Sequence, residues 1–183
     1  YPDVCSGLTV TNSSYDSGRF LNAAKFTGTR TSIAKGTLPF SSTVCSFSCW
    51  VYENARDRLY PSPLRIGGND WVADGTMMGF AMGHTSYPGK FIFDSGGTVI
   101  PSTFNYSTKT WYHVVGIRNG SVAQLYINGI LQGTGTAGAG VLGTQINIGA
   151  GGTPLNDNEA FNGFIENVRI FNKALTQAEV LAL

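Results

Sequence analysis

The chain has 183 residues, 42% hydrophobic and only 13% charged, with 24 glycines and a net charge of +1. A chain of this length buries one substantial core and fits one domain over residues 1–183, and its glycine-rich, charge-poor composition suits short strands joined by tight turns. The near-neutral balance, with no basic run interleaved with aromatics, excludes a nucleic-acid interface, and no stretch reaches the roughly 20 continuous apolar residues of a membrane helix.

Along the chain, YPDVCSGLTV lacks the charged flank and apolar core of a signal peptide, so the sequence reads as a soluble piece of something larger. Residues 1–18 are polar and turn-rich, with a loop expected over 12–18. AAKFTG (23–28) and TSIAKG (31–36) read as short strands around a turn, followed by the loop TLPFSS. The strongest strand is Val44 to Glu53. Its alternation puts Cys45, Phe47, Cys49 and Val51 on a core face and Ser46, Ser48, Trp50 and Tyr52 on an outer face, half covered by loops or open to a ligand.

NARDRLYPSP (54–63) is a connection carrying two prolines, and LRIGG is a short strand. GGNDWVADG (67–75) then sets Trp71 among Asn69, Asp70 and Asp74 in a glycine-bounded loop. MGFAMGH, KFIFDSG and TVIPSTF continue a meander, with TSYPG between the first two. TWYHVVGIRNG is a long strand, and LYINGILQG is a hairpin whose Asn128-Gly129 suits the two positive φ angles of a type I′ turn. GTGTAGAGVLG (133–143) is expected to be an exposed turn, since it leads into the strand INIG and not into a helix that would cradle phosphate. GFIENVRIFN is the last strand, and Thr176 with Glu179 forms a capping box opening a helix through Leu183. A dozen or so short strands imply two antiparallel sheets packed face to face.

The three cysteines are Cys5, Cys45 and Cys49. On a strand, Cys45 and Cys49 stand about 13 Å apart and cannot bridge each other. Cys5 pairs with one of them, or all three are small buried apolar residues. A metal site is disfavoured, because Cys-x3-Cys splays its ligands and His84 and His113 are distant in sequence. Sequons at Asn12, Asn105 and Asn119 are compatible with an extracellular surface or with chance in an Asn/Ser/Thr-rich chain.

FSCWVY, TWYHVVGIRNG, LYINGILQG, INIG and FNGFIENVRIFNKALTQAEV resemble, in order and spacing, the laminin G-like (concanavalin A-like lectin/glucanase) domains. The resemblance is strongest over 110–182, and the closing strand with its K-A-L-T and helix is its most specific part. It implies an all-β jelly-roll sandwich of two curved antiparallel sheets with one short C-terminal helix, whose concave face and rim loops bind glycans or proteins. It also implies a secreted, cell-surface or virion-surface setting.

The residues argue against an enzyme. Glycosidases of the related jelly-roll type carry E-x-D-x-x-E on one strand, whereas the acidic pairs here are Glu53/Asp57, Asp70/Asp74 and Asp157/Glu159. A lyase needs a Tyr/His or Tyr/Lys pair, and Tyr112 and His113 face opposite ways on a strand, which leaves a pairing such as His84 with Tyr87. The expectation is a non-catalytic carbohydrate-binding module, with a structural or adhesive protein-contacting domain and a polysaccharide-degrading enzyme as the alternatives. Sugars stack their C–H faces on rings and direct hydroxyls to amides and carboxylates, which points to Trp71 with Asn69, Asp70 and Asp74, then Trp50 and Tyr52, with Tyr60 and Tyr87 on the rim. Trp71 plugging the sandwich end, Trp50 packing beneath a loop and the two tyrosines anchoring loops are the competing readings, and Trp111 reads as structural. Calcium is the expected cofactor if there is one, held by Asp157 in Asn156-Asp157-Asn158-Glu159 and by Asp16.

Overall fold

The computed structural model describes residues 9–20, 22–67, 76–151 and 155–183. In chain order the strands are β1 (Thr9–Thr11), β2 (Ser14–Ser17), β3 (Asn22–Thr27), β4 (Ile33–Thr37), β5 (Val44–Glu53), β6 (Leu64–Ile66) and β7 (Met78–Met82). There follow β8 (Phe91–Ser95), β9 (Val99–Pro101), β10 (Trp111–Asn119), β11 (Val122–Ile127), β12 (Ile130–Thr136), β13 (Gln145–Ile148) and β14 (Asn162–Phe171), and then the helix α1 (Gln177–Leu181). They form two seven-stranded sheets, ordered β1-β4-β13-β6-β7-β8-β9 and β12-β11-β10-β5-β14-β3-β2. Every pairing is antiparallel, which makes this a jelly-roll sandwich. Among the described residues no helix is long and apolar enough to cross a membrane.

Alternation along β5 builds the core as the sequence predicts. Cys45, Phe47, Cys49 and Val51 are fully buried between the sheets. The Phe47 ring meets Phe80 at 4.5 Å and Phe93 at 5.7 Å, tying the second sheet to the first. Burial of each such side chain contributes about 1.5–3 kcal/mol. Asn128 and Gly129 take φ of 50° and 78°, the pair of positive angles a type I′ turn demands. Gly149, at φ 87°, is a different case, since a Cβ there would lie 2.1 Å from Phe26 Cδ1, so the backbone must approach the core ring closely.

Several expectations are corrected. Residues 14–17, expected in a loop, form the edge strand β2, and β1 also lies in the turn-rich start. All of β1 and β2 is exposed, so no face is apolar and alternation carries no signal; the pairing comes from β4 and β3. The two short strands at 23–36 do not pair with each other, for β3 joins the second sheet and β4 the first. The glycine-rich span is not all turn, because β12 runs to Thr136. Gly133 and Gly135 face β9, where a Cβ would come within 2.8 Å of Ile100 and 2.3 Å of Thr98, so these glycines close the sandwich edge. The helix ends at Leu181 with Ala182 as its C-cap, two residues earlier than predicted, and its Thr176/Glu179 capping box is present.

Cys45 and Cys49 are buried free thiols, the small-apolar alternative, and burial pushes the Cys45 pKa up to about 12. Cys5 lies outside the described residues.

The predicted outer face of the second sheet is half covered, and the cover is the C-terminal segment. Val180, Leu175 and Phe171 pack on Val115, Ile117 and Tyr126 in a second small core. At the far end of β5 the core face closes on a carboxyl, Glu53, only 1% exposed. Burial pushes its pKa up to about 7, against the opposing pull of Tyr106 and Arg56. The folded protein therefore holds this proton to about pH 7 while an unfolded chain releases it near 4.5, so unfolding releases a proton between those values. Stability is expected to fall as pH rises from about 4.5 to about 7 and to level off above. Glu53→Gln should flatten that slope, leaving the part that Asp94 contributes below about pH 6, and gain about 3 kcal/mol at pH 8, read from urea melts across the range.

Candidate ligand-binding site

The outer face of the first sheet follows from the same alternation. Leu64, Ile66, Phe80, Met82, Phe91 and Phe93 point into the core, so Arg65, Ala81, Ile92 and Asp94 point away from it. Register aligns Lys35, Asn147, Arg65, Gly79, Asp94 and Val99 in one row across the sheet. Gly79 opens a gap in this row between Arg65 and Asp94.

Above that row lies a pocket of about 520 Å³. Ala81, Ile92, Asp94 and Val99 form its floor, Gly97 belongs to the β8–β9 turn, and Tyr60, His84 and Glu159 rise from connecting segments. The volume sits within the roughly 300–1,000 Å³ typical of small-ligand sites.

The walls are braced by backbone. Tyr60 N donates to Asn158 O at 3.0 Å and Ser62 N to Glu159 O at 3.0 Å, which ties the 54–63 connection to the 3-10 turn Asp157–Glu159. Asn156 caps that turn, its side chain accepting from Glu159 N at 3.1 Å. Three rings gather on one side. Tyr60 meets His84 edge-on at 5.4 Å, and His84 meets Tyr87 at 5.6 Å. His84 Nδ1 accepts from Ser86 N at 3.0 Å, which leaves Nε2 to carry the proton of the neutral ring.

Charge in the pocket is acidic. Glu159 pairs with Arg65 at 3.6 Å beneath the surface, and Arg65 is 1% exposed. Asp94 accepts from Gly97 N at 3.3 Å, and burial pushes its pKa up to about 6 despite backbone donors at Gly97 and Gly96 and the Arg65 charge. Near pH 7 the pocket thus presents carboxylates that only accept hydrogen bonds, beside aromatic edges.

The structure brings together some predicted residues and not others. Tyr60 lines the pocket and Tyr87 stands behind His84. Trp50 and Tyr52 are on the opposite face of the sandwich, in the second sheet. There Tyr52 contacts Trp111 at 5.4 Å with a 51° tilt and Phe164 edge to face at 5.7 Å and 68°, so the rings of this row are not coplanar and form no flat stacking platform. Trp71, Asn69, Asp70 and Asp74 lie outside the described residues. Asp94, Arg65 and Glu159 in its ion-pair role went unforeseen. One signal for them existed, in that Arg65 separates two core residues in Leu64-Arg65-Ile66 and Asp94 ends Phe91-Ile92-Phe93-Asp94, both outward positions of short strands.

Of the acidic pairs considered for hydrolysis, Asp70/Asp74 lies outside the described residues, and the members of the other two are engaged separately. Glu53 faces the core, Asp57 accepts from Asn162 Nδ2 at 3.3 Å, and Glu159 turns to Arg65. The carboxylates expected to hold calcium are each engaged elsewhere. Asp157 Oδ1 accepts from Arg30 N at 2.9 Å, while Asp16 accepts from Ser17 N at 2.8 Å and faces Lys25 at 3.6 Å. Among the described residues no three His, Cys, Asp or Glu side chains converge. This donor set does not fit a calcium cage, which needs six to eight oxygens.

Solved structures share the architecture. Domain 4 of AbnA, an extracellular arabinanase from Geobacillus stearothermophilus crystallised with arabinotriose, superposes with a TM-score of 0.72 at 20% identity, covering 96% of this chain and 86% of that one. The native heptameric pentraxin from Limulus polyphemus gives 0.65 at 17%, covering 86% and 78%. The binding domain of Paraclostridial Mosquitocidal Protein 1 gives 0.71 at 16%, covering 96% of this chain and 46% of that domain, so the chain spans about half its length. At these identities the likeness is one of fold. A search of curated protein sequences finds no match. Residues 27–181 match the Laminin G-like family profile, and the chain thereby belongs to the concanavalin A-like lectin/glucanases superfamily.

Proposed function

We propose that the protein is a non-catalytic carbohydrate-binding module of a secreted or surface-displayed protein, and that it takes glycan in the pocket over β7, β8 and β9. The observation that carries this reading is the pairing of acceptor carboxylates with ring edges in a cavity large enough for a short oligosaccharide. Sugar hydroxyls are donors, and Asp94 is an acceptor in reach of them. Tyr60 and His84 offer surfaces for C–H faces. The arabinotriose complex of the arabinanase domain and the binding domain of the mosquitocidal protein support the same reading by fold analogy.

Pocket charge argues for neutral sugars. An anionic glycan would meet Asp94 and Glu159, and Arg65 is already paired with Glu159. The same charge argues against lyase chemistry. Proton abstraction beside a uronate carboxylate needs a cation to neutralise that group, so His84 and Tyr87 are read as a wall of tilted rings.

The test is a glycan array with the isolated chain, with and without calcium, alongside Tyr60→Ala and Asp94→Asn. Selective binding of neutral glycans is expected, weakened by about 1–3 kcal/mol in Tyr60→Ala and about tenfold in Asp94→Asn. Affinity should also fall below pH 6 as Asp94 protonates. Trp71→Ala, added to the same array, tests whether residues 68–75 contribute. A blank array from folded protein would overturn the carbohydrate reading in favour of a protein-contacting or structural module.

A further inference from the structure

On the opposite face of the sandwich is a pocket of about 340 Å³ between the aromatic end of the second sheet and α1. Trp50 and His113 pair across β5 and β10, and their rings stack at 5.0 Å and 25°. Arg19 lies over Trp50 with its guanidinium 4.3 Å from the ring centre. Trp111 supplies a further ring wall, Asn128 the turn, and Leu181 the apolar side. The helix wall is fixed in place, because Gln177 Nε2 donates to Gly129 O at 2.8 Å and a Cβ on Gly129 would touch Leu181 Cδ2 at 2.7 Å.

Three polar groups here are unanswered among the described residues, the buried Trp50 Nε1 being one. The Arg19 guanidinium has contacts only with the rings of Trp50 and Phe20, and makes no hydrogen bond or ion pair. The His113 side chain, 6% exposed and lining the pocket, has no hydrogen bond to its ring nitrogens. Burial lowers its pKa to about 4, with Arg169 adding to the effect, so the ring is neutral and offers one donor and one acceptor. Among the described residues no carboxylate side chain lines the pocket. The nearest in register, Glu166, is engaged by Arg19 N at 2.7 Å and Phe20 N at 3.1 Å.

We propose that this pocket is a second ligand site, for a compact ring that carries a carboxylate. The planar guanidinium fork matches a carboxylate in two parallel hydrogen bonds, and the ring lies against Trp111 and Leu181 with His113 and Asn128 beneath it. Its charge preference is opposite to that of the first pocket, so the two faces select different chemistry. The assignment does not depend on what the first pocket binds.

The experiment follows tryptophan indole N–H signals of the full chain by nitrogen-15 correlation spectra during titration with glucuronate, glucose and benzoate. Glucuronate should shift the Trp50 and Trp111 signals, assigned with Trp111→Phe, whereas glucose should not. Arg19→Gln should weaken binding at least tenfold without moving the melting temperature, because Arg19 is exposed. Asp94→Asn, which alters only the other pocket, should leave the titration unchanged. Benzoate binding in place of glucuronate would keep the carboxylate assignment and identify the ring as aromatic. Equal shifts with glucose, undiminished binding by Arg19→Gln, or no shift with either acid would overturn the proposal.

Discussion

Glu159→Ala is expected to lower stability by about 3–5 kcal/mol and to abolish ligand binding in the pocket over β7–β9. The pair it breaks is shielded on both sides, with Arg65 1% and Glu159 8% exposed at the side chain. Desolvation makes such a pair of small net value, yet removal of one partner takes this counter-ion from a charge that water cannot reach. Asp94 is near enough to feel the Arg65 charge and holds its proton up to about pH 6, so it offsets part of the loss only above that pH, and the cost of the variant should be larger below pH 6. The variant also loses the bond from Asn156 Nδ2 to Glu159 Oε1 at 3.0 Å, which helps shape the 3-10 turn and so the pocket wall. At about 2–4 °C per kcal/mol for a domain of this size, the melting temperature should drop by on the order of 10 °C. The control is the double variant Arg65→Met with Glu159→Leu, expected to regain most of the stability, since an apolar pair of similar volume needs no compensation. A double variant as unstable as the single one would show that the turn, and not the lost counter-ion, carries the cost.

That pair also shows where sequence reading stops. Strands with one face in the core were legible because period-two alternation is a direct image of burial, as in Val44–Glu53, whose limits were read correctly. The Asn128-Gly129 turn and the Thr176/Glu179 capping box were legible because each is local, a backbone need met by a neighbour in sequence. The edge strands β1 and β2 were not, since their order comes from partners up to 26 residues away and neither face is buried. The glycines at 133 and 135 were misread for a related reason. Glycine marks a turn and a close approach alike, and only the position of β9 tells them apart.

The candidate site suffered more. Expectation gathered on aromatics, which sequence displays openly, and on an acidic loop. The pocket is instead organised by Asp94, Arg65 and Glu159, whose relation depends on a register row across three strands and on a turn far along the chain. Trp50 and Tyr52 were correctly placed on an outer face, but which sheet that face belongs to is a property of topology. Tyr60, which the sequence offered as a rim residue or as a loop anchor, lines the pocket.

The second large effect concerns Arg118, which is fully buried within β10 although the strand around it is apolar. Its guanidinium donates to Gly120 O at 3.2 Å and to Gly138 O and Gly140 O at 2.6 Å each. These carbonyls belong to the hairpin turn and to the glycine-rich segment after β12, which has few side chains of its own to hold it. Arg118 thus does for 138–140 what a packed side chain does elsewhere. Burial lowers its pKa, yet an arginine remains charged, and the carbonyl oxygens answer that charge in place of a carboxylate. Arg118→Ala leaves a cavity and unanswered acceptors together, and about 3–5 kcal/mol of stability should be lost. Arg118→Lys should recover less than half of that, because one ammonium on a flexible stem cannot reach acceptors that the planar fork meets at once. Amide hydrogen exchange checks the mechanism: in Arg118→Lys, Gly138 N–H, which donates to Ser95 O at 3.1 Å, should exchange faster while the centre of β5 stays protected. Uniform loss of protection across both sheets would show instead that Arg118 supports the whole core and not this one segment.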